Sequence, residues 1–379
     1  MSTALVLSGG GARASYQVGV LKALIEILDR PNDNPFSVVC GTSAGAINAA
    51  MLACESDHFS EAVGRLDELW SSLTSSRVHE MGLGAVAGSL VALIKSLLND
   101  GYARNNAWSL LDNAPLRELL SEVIRFDRLE ARLLANDLVA LSITALGYTS
   151  GASLSFFQGS DLVHGWRRHR RIGVRARLNL DHLMASTAIP GIYPAVPIHR
   201  EYFGDGAIRQ TAPLSPALHL GAKRLFVIGV SHNPNEPDDR RDQTMHPPSL
   251  AQMTTHLLNG SFIDALEEDM EDLQRLNKVA DKLSPTERAT LNLAKVDVMS
   301  ITPSKAFDDV AAKHIDVLPG TMKFLFGKLG ATRAGGGVSL ASYLLFESVF
   351  IQELIECGYH DAMDQSDDIK SFIAFDSAN

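Results

Sequence analysis

Short unbroken apolar runs and longer runs with helical spacing take turns along the first part of the chain. ALVLS, residues 4–8, stops at three glycines, which predicts a buried strand entering a tight loop. From Ser15 the apolar positions Tyr16, Val18, Val20, Leu21, Leu24, Ile25 and Leu28 repeat at helical spacing, and Asp29-Arg30-Pro31-Asn32 ends that helix. FSVVC, residues 36–40, predicts a second strand, followed by a turn and an alanine-rich helix from about Ala46 to Cys54. Strand, helix, strand, helix with continuous apolar strands is the pattern of a parallel sheet covered on both faces.

Residues 60–135 read as mostly helical. Strands return at Leu138–Leu146, at Leu154–Gln158 and at LFVIGVS, residues 225–231, with a further candidate in VDVMSITPS, 296–304. The arginine-rich stretch WRRHRRIGVRAR, from Trp166, lies between them and reads as a solvated loop or a basic surface. Residues 233–249, rich in proline and charge, mark a boundary or a loop. Residues 250–295 read as helical and strongly charged, and SLASYLLFESVFIQELIECGY, 339–359, as one closing helix with Gly358 as its cap.

Composition narrows the function class. Of 379 residues, 46% are hydrophobic and 21% charged, as in an ordinary globular protein with a sizeable core. A formal net charge of −10 argues against a nucleic-acid partner. Three scattered cysteines, Cys40, Cys54 and Cys357, make neither a disulfide framework nor a metal cage and suit a reducing compartment. MSTALVLSGGG has no basic n-region, no long apolar core and no small-residue cleavage site, so no secretory signal is expected. The longest apolar stretch, GLGAVAGSLVALI at 82–94, is too short to span a bilayer. The expected location is the cytoplasm, with peripheral contact to a membrane or micelle surface open.

Two glycine turns carry candidate chemistry. GTSAG, residues 41–45, sits between a strand and a helix, where Gly41 and Gly45 let the two backbones crowd beneath an exposed Ser43. SGGGARA, residues 8–14, sits between the first strand and the first helix. A dinucleotide fingerprint would use Gly9, Gly11 and Ala14 but wants an acidic residue at the end of the second strand, and a phosphate-binding P-loop wants Gly-Lys-Ser/Thr. The chain has neither. Successive glycines at a helix start instead suit an oxyanion hole, because backbone N–H groups can face a site with no Cβ in the way.

A nucleophilic serine needs a base. Of twelve histidines, His232 is the best placed, directly after LFVIGVS and in the chain order Ser, Asp, His. Asp205, between Gly204 and Gly206 after an extended stretch, is the other candidate, against the plain reading of a solvated turn aspartate.

These motifs together resemble the patatin-like phospholipase family. The carrying residues are Gly9-Gly10-Gly11-Ala12-Arg13-Ala14, Gly41-Thr42-Ser43-Ala44-Gly45, Ala185-Ser186-Thr187-Ala188-Ile189-Pro190-Gly191 and Asp205-Gly206-Ala207. The likeness spans about residues 4–230, with Ala14 standing where the family has glycine. It implies a three-layer α/β/α fold with a mostly parallel sheet, in a catalytic domain over 1–235, and the helical patterning beyond it predicts a mostly helical C-terminal region over 236–379 packed on that domain. It implies a Ser–Asp dyad of Ser43 and Asp205, working through an acyl-enzyme without histidine, metal or cofactor. The N–H groups of Gly10, Gly11 and Ala12 would form the oxyanion hole, and Arg13 would brace that loop or meet a phosphate. The implied substrate is a phospholipid, a lysophospholipid or another acyl ester. A Ser-His-Asp esterase using His232 and a catalytically silent lipid-binding protein are the alternatives. Residues 82–98 would form an ordinary buried helix, or else cover the site or touch the interface, and the arginines from Arg167 to Arg171 would pair with local acids in a solvated loop or meet anionic headgroups.

Overall fold

A strand sends alternate side chains to opposite faces of its sheet, and here both faces are covered. The computed structural model describes residues 2–80, 109–231, 249–291, 293–330 and 338–374. Residues 82–98 and His232, expected above to cover the site and to supply an alternative base, lie outside the described residues.

Among the described residues ten strands form one sheet. β1 (Thr3–Leu7), β2 (Val38–Thr42), β3 (Ala140–Gly147) and β4 (Ser153–Gly159) come first. Two hairpins follow, β5 (Trp166–Arg168) with β6 (Arg171–Arg175) and β7 (Val196–Ile198) with β8 (Glu201–Asp205). β9 (Arg224–Ile228) and β10 (Asp297–Ile301) complete it. The main order is β10-β9-β1-β2-β3-β4-β6-β5, and the run from β10 to β3 is parallel throughout. β4 joins β3 antiparallel, and β8 joins β3 antiparallel off the main path.

The apolar strands read from the sequence are apolar because they are covered twice. Leu5, Leu7, Val39, Leu141 and Ile143 face one core with α1 (Ser15–Ile27), α2 (Ala44–Cys54) and the helix Ser348–Met363. Ala4, Val6, Val38, Leu225 and Val227 face a second core with Ala217, Leu266, Met270 and Leu273 of the helices Ser215–His219 and Ala265–Ala280. The result is helix, sheet, helix in three layers, as expected.

Two sequence readings are corrected. The closing segment is two helices, Val338–Leu344 and Ser348–Met363, because residues 345–347 leave the helix and Glu347 bridges to Thr74. Gly358 lies inside the second helix rather than capping it. A Cβ there would overlap the Tyr16 carbonyl, and one at Gly19 would overlap the Ile355 carbonyl, so both glycines serve a close helix crossing. The arginine-rich stretch is the β5–β6 hairpin at the sheet edge. Trp166 anchors it, stacked on Phe157 at 5.6 Å and on His219 at 4.8 Å. The region beyond residue 249 adds β10 to its helices. Among the described residues no helix is long and apolar enough to cross a membrane.

Candidate active site

β2 and β8 share one edge of β3 and run toward each other. β2 ends at Thr42, opposite Thr144. β8 ends at Asp205, opposite Ala145. The first residue past β2 and the last of β8 therefore meet over two adjacent residues of β3. Ser43 Oγ donates to Asp205 Oδ2 at 2.5 Å across 162 residues of chain.

Ser43 holds φ 54° and ψ −132°, a conformation that costs a side-chain-bearing residue about 1–3 kcal/mol. The neighbouring glycines make it possible. A Cβ on Gly41 would come within 2.6 Å of Ala46 Cα, and one on Gly45 would strike the backbone at the end of β1. The Ser43 N–H donates to Ser186 Oγ at 2.9 Å, and Ser186 Oγ donates to the Thr144 carbonyl at 2.7 Å. Two residues on, the Ala188 carbonyl accepts the Asp205 N–H at 2.8 Å. Residues 186–188 thus hold both members of the pair.

Asp205 is fully buried and Ser43 nearly so. Burial pushes the Asp205 carboxyl up to about 7, against the hydrogen bonds from Ser43 and the Ala207 N–H, which lower it. A carboxylate of that basicity can exchange a proton near neutral pH. Gly206 presses on the Thr144 carbonyl, leaving no room for a side chain.

The glycine loop lies beside this pair, since Gly45 packs on Leu7 and Ser8 at its start. Gly11 has φ 55° and sits against the Tyr343 carbonyl. Among the described residues the N–H groups of Gly10, Gly11 and Ala12 have no protein acceptor. The Arg13 N–H is engaged by the Gly10 carbonyl at 3.1 Å. The Arg13 side chain is buried: Nε donates to Ser342 Oγ at 2.9 Å, Nη2 donates to Asp308 Oδ1 at 2.6 Å, and the guanidinium lies 4.0 Å from the Tyr343 ring centre. A buried guanidinium needs such partners, because an unpaired charge there is costly.

Among the described residues no histidine bonds Ser43 or Asp205. His79 and His182 are buried, and burial lowers both to about 4. Among the described residues no cluster of three or more metal-ligating side chains occurs. Sequence reasoning missed Thr144, Gln210, Asp308 and Ser342. Thr42 Oγ1 donates to Gln210 Oε1 at 2.7 Å, and Gln210 Nε2 reaches Thr144 Oγ1 at 3.4 Å. None of these four carries a local motif, so no sequence signal marks them. Ser186 did lie in a recognised motif, but its part became visible only through its two partners.

Residues 5–218 match the family model described as Patatin-like phospholipase. A cGAMP-activated phospholipase of Pseudomonas aeruginosa is 27% identical over 216 residues, 57% of this chain and 55% of that protein. The mouse calcium-independent phospholipase A2-gamma is 23% identical over 215 residues, 57% of this chain and 25% of that protein. The chain therefore spans about half the length of the first relative and a quarter of the second. Human GIVD cytosolic phospholipase A2 superposes with a TM-score of 0.43 at 11% identity, covering 99% of this chain and 59% of that one.

Proposed function

The chain belongs to the patatin-like phospholipase family, and on that premise we propose that it hydrolyses acyl esters of phospholipids or lysophospholipids, with Ser43 as nucleophile and Asp205 as base. The carrying observation is the 2.5 Å bond between Ser43 Oγ and a buried Asp205 whose carboxyl is raised to about 7.

Ser43 Oγ attacks the ester carbonyl while Asp205 takes its proton, because a free alkoxide would be too costly. The carbonyl oxygen becomes negative and is received by the N–H groups of Gly10, Gly11 and Ala12. Each such donor is worth roughly 3–4 kcal/mol in the transition state. The tetrahedral centre collapses, Asp205 returns the proton to the departing alcohol oxygen, and the acyl group remains on Ser43. Water then attacks the acyl-enzyme, giving its proton to Asp205, and as the second tetrahedral centre collapses Asp205 returns that proton to Ser43 Oγ and the fatty acid leaves.

Within this reading residues 1–235 carry the reaction and 236–379 support it. The Arg13 contacts with Asp308 and Ser342 favour that division of labour. Three free, buried cysteines favour a cytoplasmic setting.

The test is hydrolysis of a lipid panel read by mass spectrometry, beside labelling with a fluorophosphonate. The native protein is expected to release fatty acid and take the label. Ser43→Ala should do neither, and Asp205→Asn should lose roughly 10²–10⁴ in rate. Loss of activity in His232→Ala with Asp205→Asn intact would overturn the base assignment. A native protein that binds lipid yet neither labels nor hydrolyses would overturn the reaction itself.

A further inference from the structure

The two hairpins end on the same side of the sheet as Ser43. β3 runs toward that side, so antiparallel β4 begins there, with Ser153 opposite Leu146. β6 is parallel to β4, with Arg171 opposite Ser153, and Arg168 pairs with Arg171 across the hairpin. The β5–β6 turn, His169 and Arg170, therefore projects at the catalytic end. β8 pairs Phe203–Asp205 with Ala145–Gly147, so the β7–β8 turn, His199 and Arg200, reaches past the last paired residue of β3.

Hydrogen bonds join these turns to the segment after β3. The Tyr148 N–H donates to the Tyr202 carbonyl at 3.0 Å, the Ser153 N–H to the Arg170 carbonyl at 2.8 Å, and the Ser150 N–H to Glu201 Oε1 at 2.6 Å. Tyr148 lies over Gly204, next to Asp205, and the negative charge there helps push its phenol above the usual range, after burial. Tyr148 and Tyr202 are nonetheless 46% and 54% exposed. Arg168, Arg170 and Arg200 are exposed. Arg117 and Arg177 pair with Asp181 and Glu130, whereas among the described residues Arg168, Arg170 and Arg200 make no ion pair.

We propose that this rim, Tyr148, Arg168, Arg170, Arg200 and Tyr202, docks the protein on a bilayer bearing anionic headgroups. The proposal rests on the hydrolase reading and adds the surface that would deliver substrate to it. Tyrosines suit the water–lipid boundary, and unpaired arginines suit a negative surface. With a net charge of −10 the molecule as a whole is repelled by such a surface, so a basic rim at the catalytic end also fixes which side approaches.

The test is sedimentation with phosphatidylcholine vesicles, with and without phosphatidylglycerol, alongside hydrolysis of a short-chain, water-soluble nitrophenyl ester. The native protein is expected to sediment with the anionic vesicles. The triple variant Arg168→Glu, Arg170→Glu, Arg200→Glu should bind them about a hundredfold more weakly, at roughly fivefold per arginine. Its soluble-ester hydrolysis should stay native, and Tyr202→Ala should weaken vesicle binding alone. The proposal is overturned if the native protein ignores anionic vesicles, if the triple variant binds like native, or if an oligonucleotide displaces the vesicles and takes the rim as its own ligand. A native protein inactive on the soluble ester while still sedimenting would count against the hydrolase reading and leave the docking surface standing.

Discussion

Arg13 and Asp308, 295 residues apart in sequence, meet at 2.6 Å and tie the glycine loop to the C-terminal region. Asp308 is the more exposed partner, and Ser342 still holds the guanidinium when it is removed. Asp308→Ala is therefore expected to leave a folded protein with a loosened loop. Steady-state kinetics on a soluble ester should show kcat down about tenfold with KM near native, the mark of lost transition-state binding. Asp308→Asn, which keeps an acceptor, should recover most of it.

Asp205 must be ionised to accept a proton. With its carboxyl at about 7, kcat should rise tenfold per pH unit below that point and level off above it. A profile already flat from pH 5 upward would show that another group, or none, titrates in the reaction.

The same carboxyl sets a stability cost. Below about pH 4 it is protonated in both the folded and unfolded chain, and no penalty exists. As pH climbs to about 7 the unfolded chain ionises first, so stability is lost across that window and stays lost above it. Asp205→Asn keeps the shape without the charge. Its melting temperature should exceed native at pH 8 by the equivalent of a few kcal/mol, at about 1.4 kcal/mol per tenfold change in proton affinity. At pH 4 the two proteins should melt together.

Ser186→Ala removes the acceptor for the Ser43 N–H and the donor to Thr144. Two buried backbone groups lose partners, at about 1–3 kcal/mol each. Thermal melts should show the loss, and fluorophosphonate labelling of Ser43 should slow at least tenfold as the elbow relaxes.

Gly358→Ala drives a methyl into the Tyr16 backbone where α1 crosses the helix Ser348–Met363. Overpacking there should cost about 1–3 kcal/mol in chemical denaturation. Activity per folded molecule should hold, since neither residue touches the pair.

Much of this was legible in the chain. ALVLS and FSVVC announced buried strands because each is apolar without alternation, and both lie between helical layers. GTSAG announced a sharp elbow because it needs glycine on both sides of Ser43. The β5–β6 hairpin was harder to read: arginines at 167, 168, 170 and 171 mask its strands, which rest on Trp166, Ile172 and Val174. The closing helix read as continuous because periodicity does not register that residues 345–347 turn away to meet Thr74.

What the sequence determined by itself was local: which unbroken apolar runs are buried strands, where the backbone must turn without a Cβ, and which side chains are candidates for chemistry. The tertiary structure decided that β2 and β8 run head to head along one edge of β3, which sets Asp205 beside Ser43. It also decided that Asp308 and Ser342 return to hold Arg13. Periodicity reports the burial of a residue against its near neighbours. Strand order depends on how distant segments share a core, and no repeat within either segment carries that information.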